Sequence, residues 1–313
     1  MRLIYMGTPD FAAAALEKLV EAGHDILAVV TQPDKKSGRG QGLIYSPVKE
    51  VALKHDIEVL QPVKARDEAF VEKIAGLEPE AIVVAAYGQI LPLPFLAIPK
   101  YGCINIHASL LPAYRGAAPI QWSIIDGKET TGVTIMRMDE GIDTGDMILK
   151  EEVEICKSET GGSLHDKLSV AGAKLIVKAL AQIEAGTATF TPQPEMSTTK
   201  YASMLKKDMG KIDWSKGAAE IERLIRGLDP WPSAYTFFKG KTLKIWKASV
   251  AENPLGLLPG MVFDVDKKGF KTACGDGALK IESLQIEGKK RMDTADFLRG
   301  NALSEGDRFG EGS

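Results

Sequence analysis

Three residues in this chain have the types and spacing for chemistry at a carbonyl centre: Asn105, His107 and Asp143. Residues 102–107 alternate as a strand, which puts Asn105 and His107 on one face, two positions apart. A fixed amide donor stabilises a developing oxyanion, and an imidazole exchanges a proton near neutral pH. The same pair also reads as polar groups capping a strand end, and spacing leaves both readings open. Asp143 lies in the turn-rich stretch 139–145 between two strand-like runs. A carboxylate there can approach the imidazole and hold its tautomer, although loop carboxylates are commonly just solvated. The turn at 6–11 offers Gly7, Thr8 and Pro9 where a dinucleotide fingerprint needs three spaced glycines, so nicotinamide or flavin binding in the usual mode is disfavoured. Gly7 and Thr8 read instead as a tight strand-to-helix turn.

The elements that must position these residues are legible as an alternation. Short apolar runs at 3–6, 26–31, 58–61, 81–86 and 103–107 read as buried strands, and helical spacing of apolar residues appears at 11–22, 47–55 and 68–77, with Asp67 in the N-cap position. This order predicts an α/β fold with a doubly wound, mostly parallel sheet, whose ligand crevice lies beyond the carboxyl ends of its strands. Two further strands at 133–138 and 147–155 and a long helix at 163–185 complete a first domain, 1–188. Residues 189–211, with Pro192, Pro194 and a Ser/Thr/Lys-rich stretch, read as an extended linker. A helix at 218–228 and five short strands between 234 and 286 then predict a small, OB-like β-barrel domain, 212–313.

Composition narrows the classes further. The 313 residues are 44% hydrophobic and 26% charged, as expected of a globular chain of about two domains. No run reaches the roughly 18 apolar residues of a membrane span, and the start goes from Met1 directly into a strand, so a soluble, cytoplasmic protein without a targeting peptide is expected. Cys103, Cys156 and Cys274 are odd in number and scattered, which disfavours a disulfide scaffold or a zinc site. The net charge of −3 is unevenly spread: residues from Lys200 onward hold 20 basic against 16 acidic side chains, which leaves −7 for residues 1–199. A mildly basic second half hints at an anionic partner. Candidate phosphate contacts are Lys239, Lys241, Lys244, Lys247, Lys289, Lys290 and Arg291, each of which also reads as a solvated surface charge.

Together, NIHASLLP at 105–112, YRGAAPIQ at 114–121, GVTIM at 132–136 and GIDTGD at 141–146 give a resemblance to the 10-formyltetrahydrofolate-dependent formyltransferases. GTPDFA at 7–12, TQPD at 31–34, GRG at 38–40, SPVK at 46–49, DPWP at 229–232 and WKAS at 246–249 are similar to the members of that family acting on initiator methionyl-tRNA. The resemblance runs in order through nearly the whole chain and stops at the last dozen residues. It implies formyl transfer from N10 of 10-formyltetrahydrofolate to the α-amino group of methionine on initiator tRNA, with Asn105, His107 and Asp143 as the catalytic trio and no metal. It implies folate contacts from Ser109, Leu110, Leu111 and Pro112 and from the neighbouring Tyr87, Gly88, Gln89 and Ile90. It also implies that the basic, glycine-rich loop 34–45, with Lys35, Lys36 and Arg39, reaches the tRNA acceptor stem, beside Lys244, Lys289, Lys290 and Arg291 of the second domain. No obligate protein partner is implied. Formyl transfer to a different amine, such as an amino-sugar nucleotide or glycinamide ribonucleotide, is the nearest rival reading. An RNA-binding module with a merely structural pocket is the rival of another class.

Overall fold

The computed structural model describes residues 1–36 and 43–310, so Arg39 and the glycines around it lie outside the described residues, as does the side chain of Lys36. The chain forms two compact units. The first comprises Met1–Pro119, Thr130–Glu154 and His165–Ala202. In chain order its elements begin with β1 (Arg2–Gly7), α1 (Asp10–Glu21), β2 (Asp25–Val30), β3 (Lys35–Lys36), β4 (Leu43–Ile44), α2 (Pro47–Lys54) and β5 (Val59–Leu60). They continue with α3 (Glu68–Gly76), β6 (Ala81–Ala85), α4 (Leu93–Leu96), β7 (Cys103–His107), α5 (Pro119–Ile125), β8 (Thr130–Arg137), β9 (Met147–Glu154) and α6 (Gly161–Glu184), of which α5 after Pro119 and the first turn of α6 belong to the second unit.

Seven strands make one sheet in the order β5-β2-β1-β6-β7-β8-β9. The first five are mutually parallel, and β8 and β9 extend the sheet antiparallel. The chain starts in the middle, winds outward to β5 and returns to β6, so the winding reverses between β1 and β6. Ligands of such sheets bind beyond the strand ends at that reversal. Leu3, Ile4, Tyr5 and Met6 are wholly buried, which is why the strand reads as a continuous apolar run rather than an alternation. Helix α2 begins where Ser46 accepts from the Lys49 amide and Pro47 presets the first turn. Asp67 takes the N-cap position of α3, but its side chain makes no capping bond.

The second unit comprises Ile120–Glu129, Ile155–Leu164 and Ser203–Ser313. It holds α7 (Ala218–Gly227), β10 (Ala234–Phe238), β11 (Lys241–Ala251), β12 (Val262–Phe263), β13 (Phe270–Ala273), β14 (Ala278–Ile286), β15 (Met292–Asp293) and α8 (Thr294–Gly300). The antiparallel path β10-β11-β14-β13-β12, with β15 added to β14, is a curled half-barrel. Register breaks in β11 between Ile245 and Ala248 supply the extra twist that curls it. Its core takes Ile221 and Ile225 from α7, Leu243 and Ile245 from β11, Leu279 and Ile281 from β14 and Phe297 from α8. Phe309, from the tail that no motif marked, seats its ring within 6 Å of the rings of Trp214, Phe238 and Phe270.

The stretch read as a linker divides between the units. Residues 189–202 lie in the first, bridged at Thr191 to Met147 and at Ala202 to Gly116, and Ser203 onward lies in the second. Extended backbone without apolar periodicity looks like a tether in sequence, yet here its polar groups are committed to neighbouring loops.

Candidate active site

Asn105 and His107 end β7, one strand beyond the reversal point, with only 9% and 5% of their surfaces exposed. The imidazole is held from both sides. Its Nε2 is 3.0 Å from the Tyr114 carbonyl oxygen, which can only accept, so Nε2 carries a proton. Its Nδ1 is 3.5 Å from Asp143 Oδ1. Both ring nitrogens thus face oxygen acceptors, which a doubly protonated ring satisfies together and a neutral ring only one at a time. The Asn105 side-chain amide makes no hydrogen bond to another described residue and shares the face of His107 about 6.6 Å along the strand.

The Asp143 carboxylate reaches inward because its loop is fixed. Its Oδ2 accepts from the Gly116 amide at 2.9 Å, and Asp143 itself has φ of 55°. Asp139 ties the loop by accepting from the Gly141 amide and the Thr144 hydroxyl. Gly145 passes so close to β8 that a Cβ there would lie 1.8 Å from the Arg137 carbonyl oxygen, so only glycine fits. Sequence reasoning missed three supports: Gln193, Thr199 and Arg115. Gln193 Nε2 donates to the Asp143 and Gly145 carbonyls, and its Oε1 accepts from Arg115 Nε and Nη2. Thr199 accepts from the Tyr114 amide. These contacts join residues roughly 50 to 85 positions apart in stretches without periodicity, so no local signal marked them.

The turn after β7 is held from within. Thr134 Oγ1 donates to the Ser109 carbonyl and accepts from the Leu111 amide, and Lys150 Nζ donates to the Leu111 carbonyl at 2.5 Å. Burial lowers the Lys150 pKa from its ordinary value. Ser109 and Leu111 are buried, Leu111 against Met136 and Met147, whereas Leu110 and Pro112 are half-buried. Of the two leucines, Leu110 keeps exposed side-chain surface and Leu111 packs into the core. At the adjacent end of β6, the Tyr87 ring packs into the core and burial pushes its phenol up to about 12. Gln89 bonds the Ala65 amide, the Val63 carbonyl and Gln32, next to Gly88, while Ile90 is 78% exposed.

A second polar cluster lies past β2 and β5. Asp34 receives Lys49 Nζ at 2.5 Å and Gln61 Nε2 at 2.8 Å, and those two contacts, Lys49 first, hold its carboxyl below the usual carboxylate range. Cys103 begins β7, but burial pushes its thiol up to about 12, which leaves it without thiolate for a covalent route at neutral pH. Among the described residues no His, Cys, Asp and Glu group is placed to hold a metal.

The residues considered for nucleic acid fall in two places. Lys35 is exposed on the β3-β4 hairpin, near the exposed Leu43, Ile44 and Tyr45, and Lys36 follows it in β3. In the second unit, Lys244 Nζ and the Arg291 guanidinium both lie over the Trp246 ring, at 5.5 and 5.1 Å. Arg291 also faces Asp229 at 3.5 Å; burial raises the Asp229 pKa and Arg291 pulls it back. Lys289 and Lys290 are exposed in the β14-β15 turn.

Comparison with known proteins agrees with this architecture. The family description "Formyl transferase" matches residues 1–180, and "Formyl transferase, C-terminal domain" matches 204–302. Proteins named methionyl-tRNA formyltransferase from Lachnospira eligens and Agathobacter rectalis are each 55% identical over 99% of this chain and at least 99% of their own length. Among solved structures, the sugar 3N-formyl transferase WlaRD, determined with dTDP and 5-N-formyl-THF, aligns over 93% of this chain and 99% of its own at a TM-score of 0.67 and 20% identity. HypX from Aquifex aeolicus in complex with tetrahydrofolic acid aligns over 95% of this chain and 47% of its own, at 0.62 and 18%. At such identities these two speak for the fold alone. The full-length match at 55% identity carries more: the chain belongs to the formyl transferase family, in the branch whose members are named methionyl-tRNA formyltransferase.

Proposed function

We propose that this enzyme moves the formyl group of 10-formyltetrahydrofolate to the α-amino group of methionine on initiator tRNA, in the cytoplasm. The observation that carries the reading is the pairing, on one strand face, of an uncommitted Asn105 amide with an imidazole held between Tyr114 and Asp143. The donor supplies an activated formyl carbon when bound. The carbon–N10 bond breaks, a bond to the α-amino nitrogen forms, and the proton lost by the amine ends on N10. Asn105 donates to the formyl oxygen as negative charge develops there, and positive charge on the His107 ring, whose two nitrogens stay on Tyr114 and Asp143, stabilises that oxyanion through space. Asp143 keeps the imidazole oriented and balances its charge. The acceptor amine, with a pKa of about 7.7 to 8.0, is substantially neutral near physiological pH and needs only modest general-base help.

The residues present fit a folate. The exposed Ile90 and Leu93 offer an apolar surface at the end of β6, beside the half-buried Leu110 and Pro112 at the end of β7. For the tRNA, Lys35, Lys36 and Arg39 on the first unit and Lys244, Lys289, Lys290 and Arg291 on the second are the proposed phosphate contacts. A small soluble amine would need no such second unit. The test is single-turnover transfer of labelled formyl with methionyl-tRNA, free methionine, glycinamide ribonucleotide and an amino-sugar nucleotide as parallel acceptors. Rapid labelling of initiator methionyl-tRNA alone is expected; labelling of another acceptor at a comparable rate would overturn the substrate assignment.

A further inference from the structure

We propose that Gln193 is a positioning residue for formyl transfer, acting through Asp143, within a strap at residues 193–202 that holds both partners of the His107 ring. This rests on the reading of His107 and Asp143 given above. One of those partners is the Asp143 carboxylate. Gln193 Nε2 donates to the carbonyls of Asp143 at 2.9 Å and Gly145 at 2.8 Å, gripping the loop on both sides of Thr144. The other partner is the Tyr114 carbonyl. Thr199 Oγ1 accepts from the Tyr114 amide at 2.7 Å, and Ser197 Oγ donates to the Pro112 carbonyl at 2.6 Å. The strap therefore sets the two acceptors that fix where the imidazole points.

Gln193 is itself locked, which is what a positioning residue requires. Its Oε1 receives Arg115 Nε at 3.1 Å and Nη2 at 3.0 Å, so the amide cannot rotate without losing two charge-assisted bonds. Arg115, 9% exposed, also donates to the carbonyls of Pro194 and Glu195 and so holds the strap backbone. Next in sequence, the Gly116 amide donates to the Asp143 carboxylate. That glycine has φ of 123° and lies against the strap, where a Cβ would meet the Ala202 carbonyl at 2.6 Å. Arg115, Gly116 and Gln193 thus form a closed ring of contacts around Asp143. Asp143 has φ of 55°, in the left-handed region that Asp enters more readily than most residues, and Gln193 holds that turn through the carbonyls of Asp143 and Gly145.

The test is single-turnover formyl transfer by Gln193→Met, Gln193→Glu, Asp143→Asn and the double variant Asp143→Asn/Gln193→Met. Met keeps the length and removes all polar contacts. Glu keeps the Arg115 pairing, and with it the strap, but places an oxygen against the two carbonyls. Both single Gln193 variants are expected to lose roughly 10- to 100-fold in the rate of the chemical step, with KM for donor and tRNA nearly unchanged. The double variant should be no slower than Asp143→Asn. A Gln193→Glu enzyme with the wild-type rate would reduce the residue to a strap anchor and overturn the proposal. So would multiplicative losses in the double variant. Wild-type turnover by Asp143→Asn would instead overturn the underlying assignment of Asp143, whatever Gln193 does.

Discussion

Asn105 is the residue whose chemistry is least ambiguous. Its side-chain amide makes no hydrogen bond to another described residue and the residue is 9% exposed at the carboxyl end of β7, so the proposed role is donation to substrate. Asn105→Ala is expected to slow the chemical step by roughly 100- to 1,000-fold, the range found on removing one oxyanion donor. tRNA affinity in the same variant, read by filter binding, should stay within about twofold of wild type. A rate loss that vanishes at saturating substrate would show that Asn105 binds the ground state only. Asn105 and His107 were legible because a strand's period of two is a short-range rule. Asp143 is legible as a carboxylate in a turn, but its 3.5 Å separation from His107 Nδ1 depends on the fold of the loop and not on any local pattern. Gln193 was not legible at all, because its partners are 78 and 50 residues away and its own surroundings show no pattern.

At the scale of elements, the crevice depends on how strand ends are tied together. Lys49, three residues past the cap of α2, joins Asp34 and Gln61 and so fastens the turn after β2 to the helix beside it. The Asp34 carboxyl is held below its ordinary 3.8 by Lys49 first and Gln61 second. A depressed carboxyl contributes stability that is fully present above the unfolded-state value and disappears as pH falls through the lower, folded value. Lys49→Met should therefore be less stable than wild type by a constant gap between about pH 5 and 7, and the gap should close below about pH 4. Urea unfolding across that range reads it; a gap unchanged at the acid end would mean that Lys49 acts by packing. Most elements of both units were readable from apolar runs and turn residues. The exceptions were the two-residue hairpin strands, the short helices α4 and α5, β15, α8 and the Phe309 anchor. One aromatic in a polar tail has no periodicity, although three rings in the core receive it. The strap is illegible for the opposite reason, since its polar composition suits a free tether equally well.

At the scale of the molecule, the charge asymmetry visible in composition is a hint of an anionic partner, 20 basic against 16 acidic side chains from Lys200 onward. The structure refines which charges are available. Arg291 is engaged by Asp229 and Trp246, whereas Lys289 and Lys290 stand in solvent. Neutralising the two lysines should therefore flatten the salt dependence of tRNA binding by roughly 0.7 to 0.9 for each phosphate that is no longer neutralised, and adding Arg291→Gln should flatten it less. An unaltered slope would mark the run as a solvated turn. Whether His107, held by Asp143, acts on the transferred group is read from the single-turnover rate of His107→Ala. The assay uses saturating 10-formyltetrahydrofolate and methionyl-tRNA, beside tRNA binding by the same variant. A rate reduced by roughly 100- to 10,000-fold with binding intact is the expected result. A wild-type rate, or a loss confined to tRNA affinity, would contradict the account.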